Sequence, residues 1–346
     1  MQIGLNHMKN SMKSSRRIKT FNLYCIALAL LFFSAVLGLL IGSTRLELSE
    51  LISAILSNNT ANADLRILLY VRLPRVISAI ICGMALSVSG AVIQAVLANR
   101  LASPSIIGVN SGAGLAVTLC SAFGIIGGWK LALFSFLGAL LAAGIVSLGA
   151  KKWEASTGTV ILLGVAINAF LGAISDTVVT FAPEVSIMSN DFKIGDFSSV
   201  TYARIIPAAL VILVCVFLLS TLSNELDVLT LGDENAKGLG LNTNIMRAIF
   251  IVLAALLAGS AVSVCGLLSF VGLLVPHAVR RISSSESKSM IPLCALFGAG
   301  FVTLCDTLSR VIFAPYEIPV GIIMAFLGAP FFIFILIKGK GGRGNA

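Results

Sequence analysis

Apolar stretches with almost no charge recur along this chain, and each is about long enough, at ~20 residues, to cross the hydrocarbon core of a bilayer as a helix. A helix is the natural solution, because it satisfies its own backbone groups where no water is available. The first run covers 21–43. Nine more follow at 76–97, 105–124, 131–149, 159–180, 205–222, 247–264, 268–280, 290–309 and 318–337. The pattern predicts an all-α, polytopic membrane protein of about ten spans. Of 346 residues, 58% are apolar and 11% charged, against roughly 45–50% and 25% in soluble domains. Little length remains for a soluble unit, so the chain divides into a basic tail (1–20), one transmembrane unit (21–338) and a short tail (339–346). A cytosolic enzyme, a secreted disulfide scaffold and a disordered regulator are excluded.

Several local features refine the reading. The first run exceeds the apolar core of a signal peptide, roughly 7–15 residues, and reads as an uncleaved span. The eighth is short and contains Pro276, which predicts a broken helix buried among neighbours. Leu48, Leu51, Ile52, Ile55 and Leu56 have helical spacing, which predicts an amphipathic helix on the outer surface.

Orientation follows from the basic residues. With the N-terminus inside, Lys9, Lys13, Arg16, Arg17, Lys19, Arg100, Lys151, Lys152, Lys237, Arg247, Arg280, Arg281, Lys288, Lys338, Lys340 and Arg343 fall on the cytoplasmic side. Only Arg45, Arg66, Arg72, Arg75, Lys130, Lys193, Arg204 and Arg310 fall outside. Both termini are therefore expected in the cytoplasm. The net charge of +9 forms no contiguous stripe, so topology explains it better than nucleic acid does. The seven cysteines lie in or beside apolar runs without zinc-site spacing and read as packing residues. His7 and His277 have no second ligand nearby, and no cofactor or metal is expected on this chain.

Arg72, Arg75 and Arg310 sit at the outer mouths of two spans, against the inside rule. Either they snorkel to the interface or they serve a function there. The loop 223–246 contains Gly232, Asp233, Glu234, Asn235, Ala236, Lys237, Gly238, Leu239 and Gly240. Asp233 and Glu234 suit a helix start, and Gly238 and Gly240 suit its end. Such a helix is either a plain surface element or one shaped for a groove on a soluble partner. Gln94 and Asn99, near the inner boundary, imply interhelical bonds or a wet path. Asp306 and Arg310 stand one turn apart, and an ion pair is preferred to a proton site; Asp176 lacks a partner within a turn. No phosphate-binding loop and no nucleophile–base pair occurs. Any nucleotide must be bound by another chain.

Five ordered blocks carry a resemblance. They are Arg72-Leu73-Pro74-Arg75 with Gly83, Gly90 and Gln94; Asn99 to Ala113; Phe270 to Arg280; Asp306 with Arg310; and Glu317 to Phe331. Together they resemble the permeases of iron-siderophore, haem and vitamin B12 ABC importers, the FecCD family. The resemblance implies a ten-span subunit of a bacterial inner membrane, paired with a second copy or a paralogue and surrounded by membrane lipid. Two ATPase subunits, which carry ATP and Mg, would sit beneath it, and a substrate-binding protein would dock above. It further implies that Arg72, Arg75 and Arg310 receive carboxylates of the binding protein, for which bidentate guanidinium suits. Gly232, Asp233, Glu234, Ala236, Lys237, Leu239 and Gly240 would form a coupling helix in an ATPase cleft. Gln94, Asn99, Leu101, Ser156, Thr157 and Gly158 would line or gate the path.

Two positions depart from the family pattern: Arg100 replaces a proline, and Phe192 stands where a tryptophan is usual. The expected cargo is an iron-siderophore, with haem or a corrinoid as alternatives. A carrier driven by an ion gradient and a receptor that transports nothing are the rival classes.

Overall fold

The structure is a computed structural model that describes residues 2–44, 47, 62–152, 157–283 and 286–340. The chain forms α1 (Gln2–Leu40), α2 (Ala63–Val96), α3 (Val109–Ala122), α4 (Gly128–Lys152), α5 (Thr157–Phe181), α6 (Ser186–Ile194) and α7 (Tyr202–Thr221). It continues through α8 (Ser223–Leu229), α9 (Asp233–Gly238), α10 (Thr243–Cys265), α11 (Val271–Ile282), α12 (Ser287–Val311) and α13 (Val320–Lys340). Among the described residues there is no strand. Seven helical segments are long and apolar enough to cross a membrane: 20–40 of α1, then α2, 128–149 of α4, 158–181 of α5, α7, α10 and α12. The apolar helices α3 and 320–333 of α13 are shorter.

Burial sorts the helices into a centre and a periphery. The most apolar windows of α2 and α10 are 78% buried, whereas those of α1 and α5 are 17% buried. Small residues allow the central helices to touch at backbone distance. A methyl group on Gly90 of α2 would overlap the Gly272 carbonyl of α11, and one on Gly83 would overlap Gly298 of α12. Gly112 of α3 and Gly138 of α4 meet in the same way. Hydroxyls join helices where the bilayer offers no water: Ser87 donates to the Cys294 carbonyl at 2.7 Å and Ser89 to the Ala254 carbonyl at 2.6 Å. Six of the seven cysteines are buried and all seven are free thiols, as packing residues should be.

Helix ends follow the capping rules. Asn62 accepts from the backbone N–H groups of Asp64 and Leu65 at the start of α2, and Asn242 accepts from Ile245 in α10. Asp227 of α8 accepts from both the N–H and the hydroxyl of Ser287, at 2.9 and 2.6 Å, and so caps α12 from a different element. At one end of the molecule three loops are tied together. Asp196 N–H donates to the Cys265 carbonyl, Leu267 to Phe192, and Gly321 to Gly195. Gly195 takes φ +76°, a region open to glycine, as the chain turns out of α6.

Three expectations need correction. The eighth span is not broken at Pro276, which lies inside the continuous helix α11; the irregular segment precedes it, at 266–270. The third run starts later, because Pro104–Ile107 forms a tight turn and Gly108, at φ +88°, redirects the chain into α3. The second run starts earlier, since α2 begins at Ala63 and passes through a widened π turn at Leu68–Arg72. The amphipathic segment 48–56 lies outside the described residues.

Candidate functional site

At the end of the molecule where α1 finishes and α2 begins, three guanidiniums converge. Arg72 donates from Nη1 to the carbonyls of Leu39 and Leu40, at 2.9 and 2.7 Å, and from Nη2 to that of Thr44 at 2.5 Å. Arg310 donates to the Gly38 carbonyl at 3.1 Å and pairs with Asp306 one turn earlier at 3.2 Å. A helix leaves its last carbonyls unpaired and its C-terminus partially negative, so two cations here satisfy the end of α1. Arg75 places Nε 2.9 Å from Asp306 and Nη1 2.5 Å from Glu317, with Nη2 3.8 Å from Asp196. Burial raises the Glu317 carboxyl, but hydrogen bonds from Ser43 and Arg75 and the charges of Arg75 and Arg310 outweigh it, so it ionises below the ordinary glutamate range.

Arg72, Arg75 and Arg310 are at most 4% exposed, and each is held by partners within the chain, including the Asp306–Arg310 pair expected from the sequence. A guanidinium stripped of water is costly unless paired, and Asp306, Glu317 and Asp196 supply the pairing. Arg75 Nη2 keeps one unmet capacity, since it is buried and forms no hydrogen bond.

A second feature runs along the barely covered helix α5. A groove of about 400 Å³ between α3 and α5 is lined by Ser105, Asn110, Ser111, Asn168, Ser175 and Asp176 among others. Asn168 holds its floor in place, donating to the Ser105 carbonyl at 2.9 Å and accepting from Ser111 at 2.6 Å. Asp176 is not alone, since Lys193 of α6 lies 3.8 Å away. The groove's surface is mostly apolar, with these polar groups spaced along it, on a helix otherwise built for lipid.

At the opposite end, Gln94 is buried and both its amide nitrogen and its amide oxygen are bonded. Its Nε2 donates to the Gly272 carbonyl at 3.1 Å, and its Oε1 accepts from Arg280 Nη1. Interhelical bonding, one of the two readings for Gln94, is present. Asn99 folds its side chain back to accept from Leu101 N–H at 2.9 Å, leaving Leu101 and Arg100 exposed. Ser156 lies outside the described residues; Thr157 begins α5, and Gly158 next to it is exposed.

The loop after α7 builds the short helix α9 between Gly232 at φ +93° and Gly240 at φ +84°. Ala236 alone is buried there, and Asp233, Glu234, Lys237, Leu239 and both glycines face outward. Asp233 bonds Arg247 of α10 at 2.7 Å, which fixes the helix to the bundle. Leu231 and Leu239 are 54% and 66% exposed, an apolar pair beside a charged helix.

Residues 30–338 match the FecCD transport family. The chain belongs to that family. The Fe(3+)-citrate import system permease protein YfmD of Bacillus subtilis (strain 168) is 33% identical over 328 residues, covering 95% of this chain and 97% of the relative. The hemin transport system permease protein HmuU of Yersinia pestis is 32% identical over 312 residues, covering 88% and 93%. A solved metal-chelate type ABC transporter in an inward-facing conformation superposes with a TM-score of 0.80 at 28% identity, covering 92% of this chain and 98% of that one.

Within this FecCD chain, sequence reasoning missed the partners of Arg75, because Glu317 lies 242 residues away and Asp196 belongs to a different loop. It also missed Asn168 and Ser175. Their signal is present in the sequence as a stripe at 168, 172, 175 and 176, which share one helix face. The Gln94–Arg280 link had no local signal at all.

Proposed function

We propose that this FecCD chain is a ten-span permease subunit of an ATP-driven importer, with both termini in the cytoplasm of a bacterial inner membrane. On this reading the seven long apolar segments, the shorter apolar helices α3 and α13, and the 12-residue α11 among its neighbours would make ten alternating crossings. On that path Arg75 and Arg310 lie outside and α9 lies inside, in agreement with the excess of inward basic residues. The chain catalyses no chemistry on its cargo. Two ATPase subunits bind ATP and Mg and press on α9, and a binding protein delivers cargo to the outer end.

The observation that carries the reading is the set of polar groups in the groove between α3 and α5. A helix only 17% buried in its most apolar window, yet bearing half-buried Asn168 and exposed Asp176 along one face, is unsuited to lipid and suited to a shared aqueous path. A second copy or a paralogue closing that side would complete the path. Leu101 and Gly158 belong to its inner rim, together with Asn99 and Thr157. Gln94 acts there by holding α11 rather than by touching cargo.

Docking uses Arg72, Arg75 and Arg310 through exchange of partners. A carboxylate of the binding protein meets the unbonded Nη2 of Arg75 and competes with Glu317, while Arg72 and Arg310 hold the end of α1 that forms the floor. The relatives' names point to ferric chelates and haem, and an iron-siderophore is the cargo proposed for this chain.

A cysteine placed at Asn168, which lines the groove and is half-buried, tests the pathway. In the reconstituted complex, a membrane-impermeant maleimide should label Asn168→Cys in one nucleotide state and much more slowly in another. Labelling that is absent in every state would put α5 against lipid and reject the reading. Capture assays with the cognate binding protein, using ferric hydroxamate, ferric catecholate, ferric citrate, haem and cobalamin, identify the cargo.

A further inference from the structure

A second cavity, of about 380 Å³, opens between the ends of α4, α7 and α10, away from the α5 groove. Its walls are apolar, with Trp129, Leu133 and Phe136 on one side and Pro207 and Val211 on the other. Into this apolar slot the chain places a cation. Arg204 lines the cavity, its Nε is buried without a hydrogen-bond partner, and no carboxylate pairs with it among the described residues. The hydroxyl of Ser260, also in the lining, is likewise buried and unbonded. Arg75 and Arg310, by contrast, each pair with the Asp306 carboxylate.

A buried donor left without an acceptor is costly, and the cost disappears if a ligand supplies one. The ligand must be anionic at one end and long and apolar beyond it. Both properties meet in a phospholipid. The cavity lies at the helix ends, with Trp129 exposed at its mouth and the exposed Lys130 next in sequence, the arrangement expected at a headgroup boundary. Arg204 and Lys130 are also among the few basic residues on the side proposed to face outward, where the charge bias gives no reason for them.

We infer that this cavity binds an anionic phospholipid, its phosphate on Arg204 and Ser260 and an acyl chain along Trp129, Phe136 and Val211. The site depends on the membrane location of the chain but not on its cargo or partners. It would anchor the α4–α7–α10 side of the bundle while α5 moves.

Trp129 is a built-in reporter, since the chain has two tryptophans and Trp153→Phe leaves it alone. The full-length Trp153→Phe chain is reconstituted in phosphatidylcholine nanodiscs doped with brominated phosphatidylglycerol or brominated phosphatidylcholine. The brominated anionic lipid should quench Trp129 at a lipid fraction about fivefold lower, the equivalent of ~1 kcal/mol for one basic contact. Arg204→Gln should remove the preference and Arg204→Lys should keep most of it. Equal quenching by the two lipids overturns the inference, whether or not Arg204→Gln folds. A preference that persists in a folded Arg204→Gln overturns it as well. Excess inorganic phosphate should leave the preference intact; if phosphate abolishes it, the site takes a free anion and the lipid assignment is wrong.

Discussion

The side-chain amide of Gln94 donates to the Gly272 carbonyl at 3.1 Å, filling the place of the N–H that Pro276 lacks. In a regular helix residue 276 would donate to residue 272, so a proline there frees one acceptor. Gln94 supplies the missing donor from the neighbouring helix, which is why α11 runs through its proline unbroken. Gln94→Leu should therefore destabilise the fold by about 1–3 kcal/mol, the usual cost of an unsatisfied buried group. Pro276→Ala restores an N–H of its own, so the double variant should lose less than the sum of the two single ones. Thermal unfolding of the four proteins in nanodiscs measures the coupling, and strict additivity would show that the two residues do not serve one carbonyl.

Asp306 holds two buried cations, Arg75 at 2.9 Å and Arg310 at 3.2 Å, while itself fully buried. Asp306→Asn keeps the shape and removes the charge, leaving two guanidiniums underpaired. The expected loss is about 3–5 kcal/mol, as for other broken buried ion pairs. A chemical-denaturation midpoint indistinguishable from that of the parent protein would mean that water, rather than Asp306, neutralises the cluster.

Glu317 gives the arginine cluster a pH dependence of known sign. Its carboxyl ionises below the ordinary glutamate value of 4.5, because hydrogen bonds from Ser43 and Arg75 outweigh burial. A group depressed on folding contributes stability that is present above its unfolded pKa and lost as pH falls through its folded one. Unfolding midpoints should hold above that value and fall below it, and Glu317→Gln should flatten this part of the profile. The comparison is read from melts of both proteins across the acidic range; parallel curves would remove Glu317 from the account.

Leu239 is 66% exposed on the far side of α9, with no structural task of its own. Leu239→Glu should shift stability by no more than about 0.5 kcal/mol, as at other exposed sites. It should nonetheless lower the amount of ATPase that copurifies and the cargo-stimulated ATP hydrolysis. Normal copurification and stimulation would mean that α9 is only a surface helix.

What the sequence reveals here divides by distance along the chain. Spans such as α7 and α10 are legible because a bilayer demands a continuous apolar run. The α9 knob is legible because Asp233 and Gly240 mark its two ends locally, and the Asp306–Arg310 pair because it is one turn apart. The start of α2 at Ala63 is hidden by Asp64, Arg66, Arg72 and Arg75, which interrupt the apolar run although the helix continues through them. Arg75 looked like a free cation because Glu317, Asp196 and Asp306 reach it only through the folded bundle. Gln94 looked like a path residue for the same reason, since nothing near it in sequence announces Gly272 or Arg280.

On the proposed function this chain is a conduit without a motor, driven from α9 and open to cargo along α5. Uptake of the labelled ferric chelate into sealed vesicles tests it most directly, with the permease, its ATPase and its binding protein reconstituted together. The account predicts accumulation that requires internal ATP and both partners, and none when an ion gradient is the sole energy source. Accumulation driven by the gradient with the ATPase omitted would contradict it.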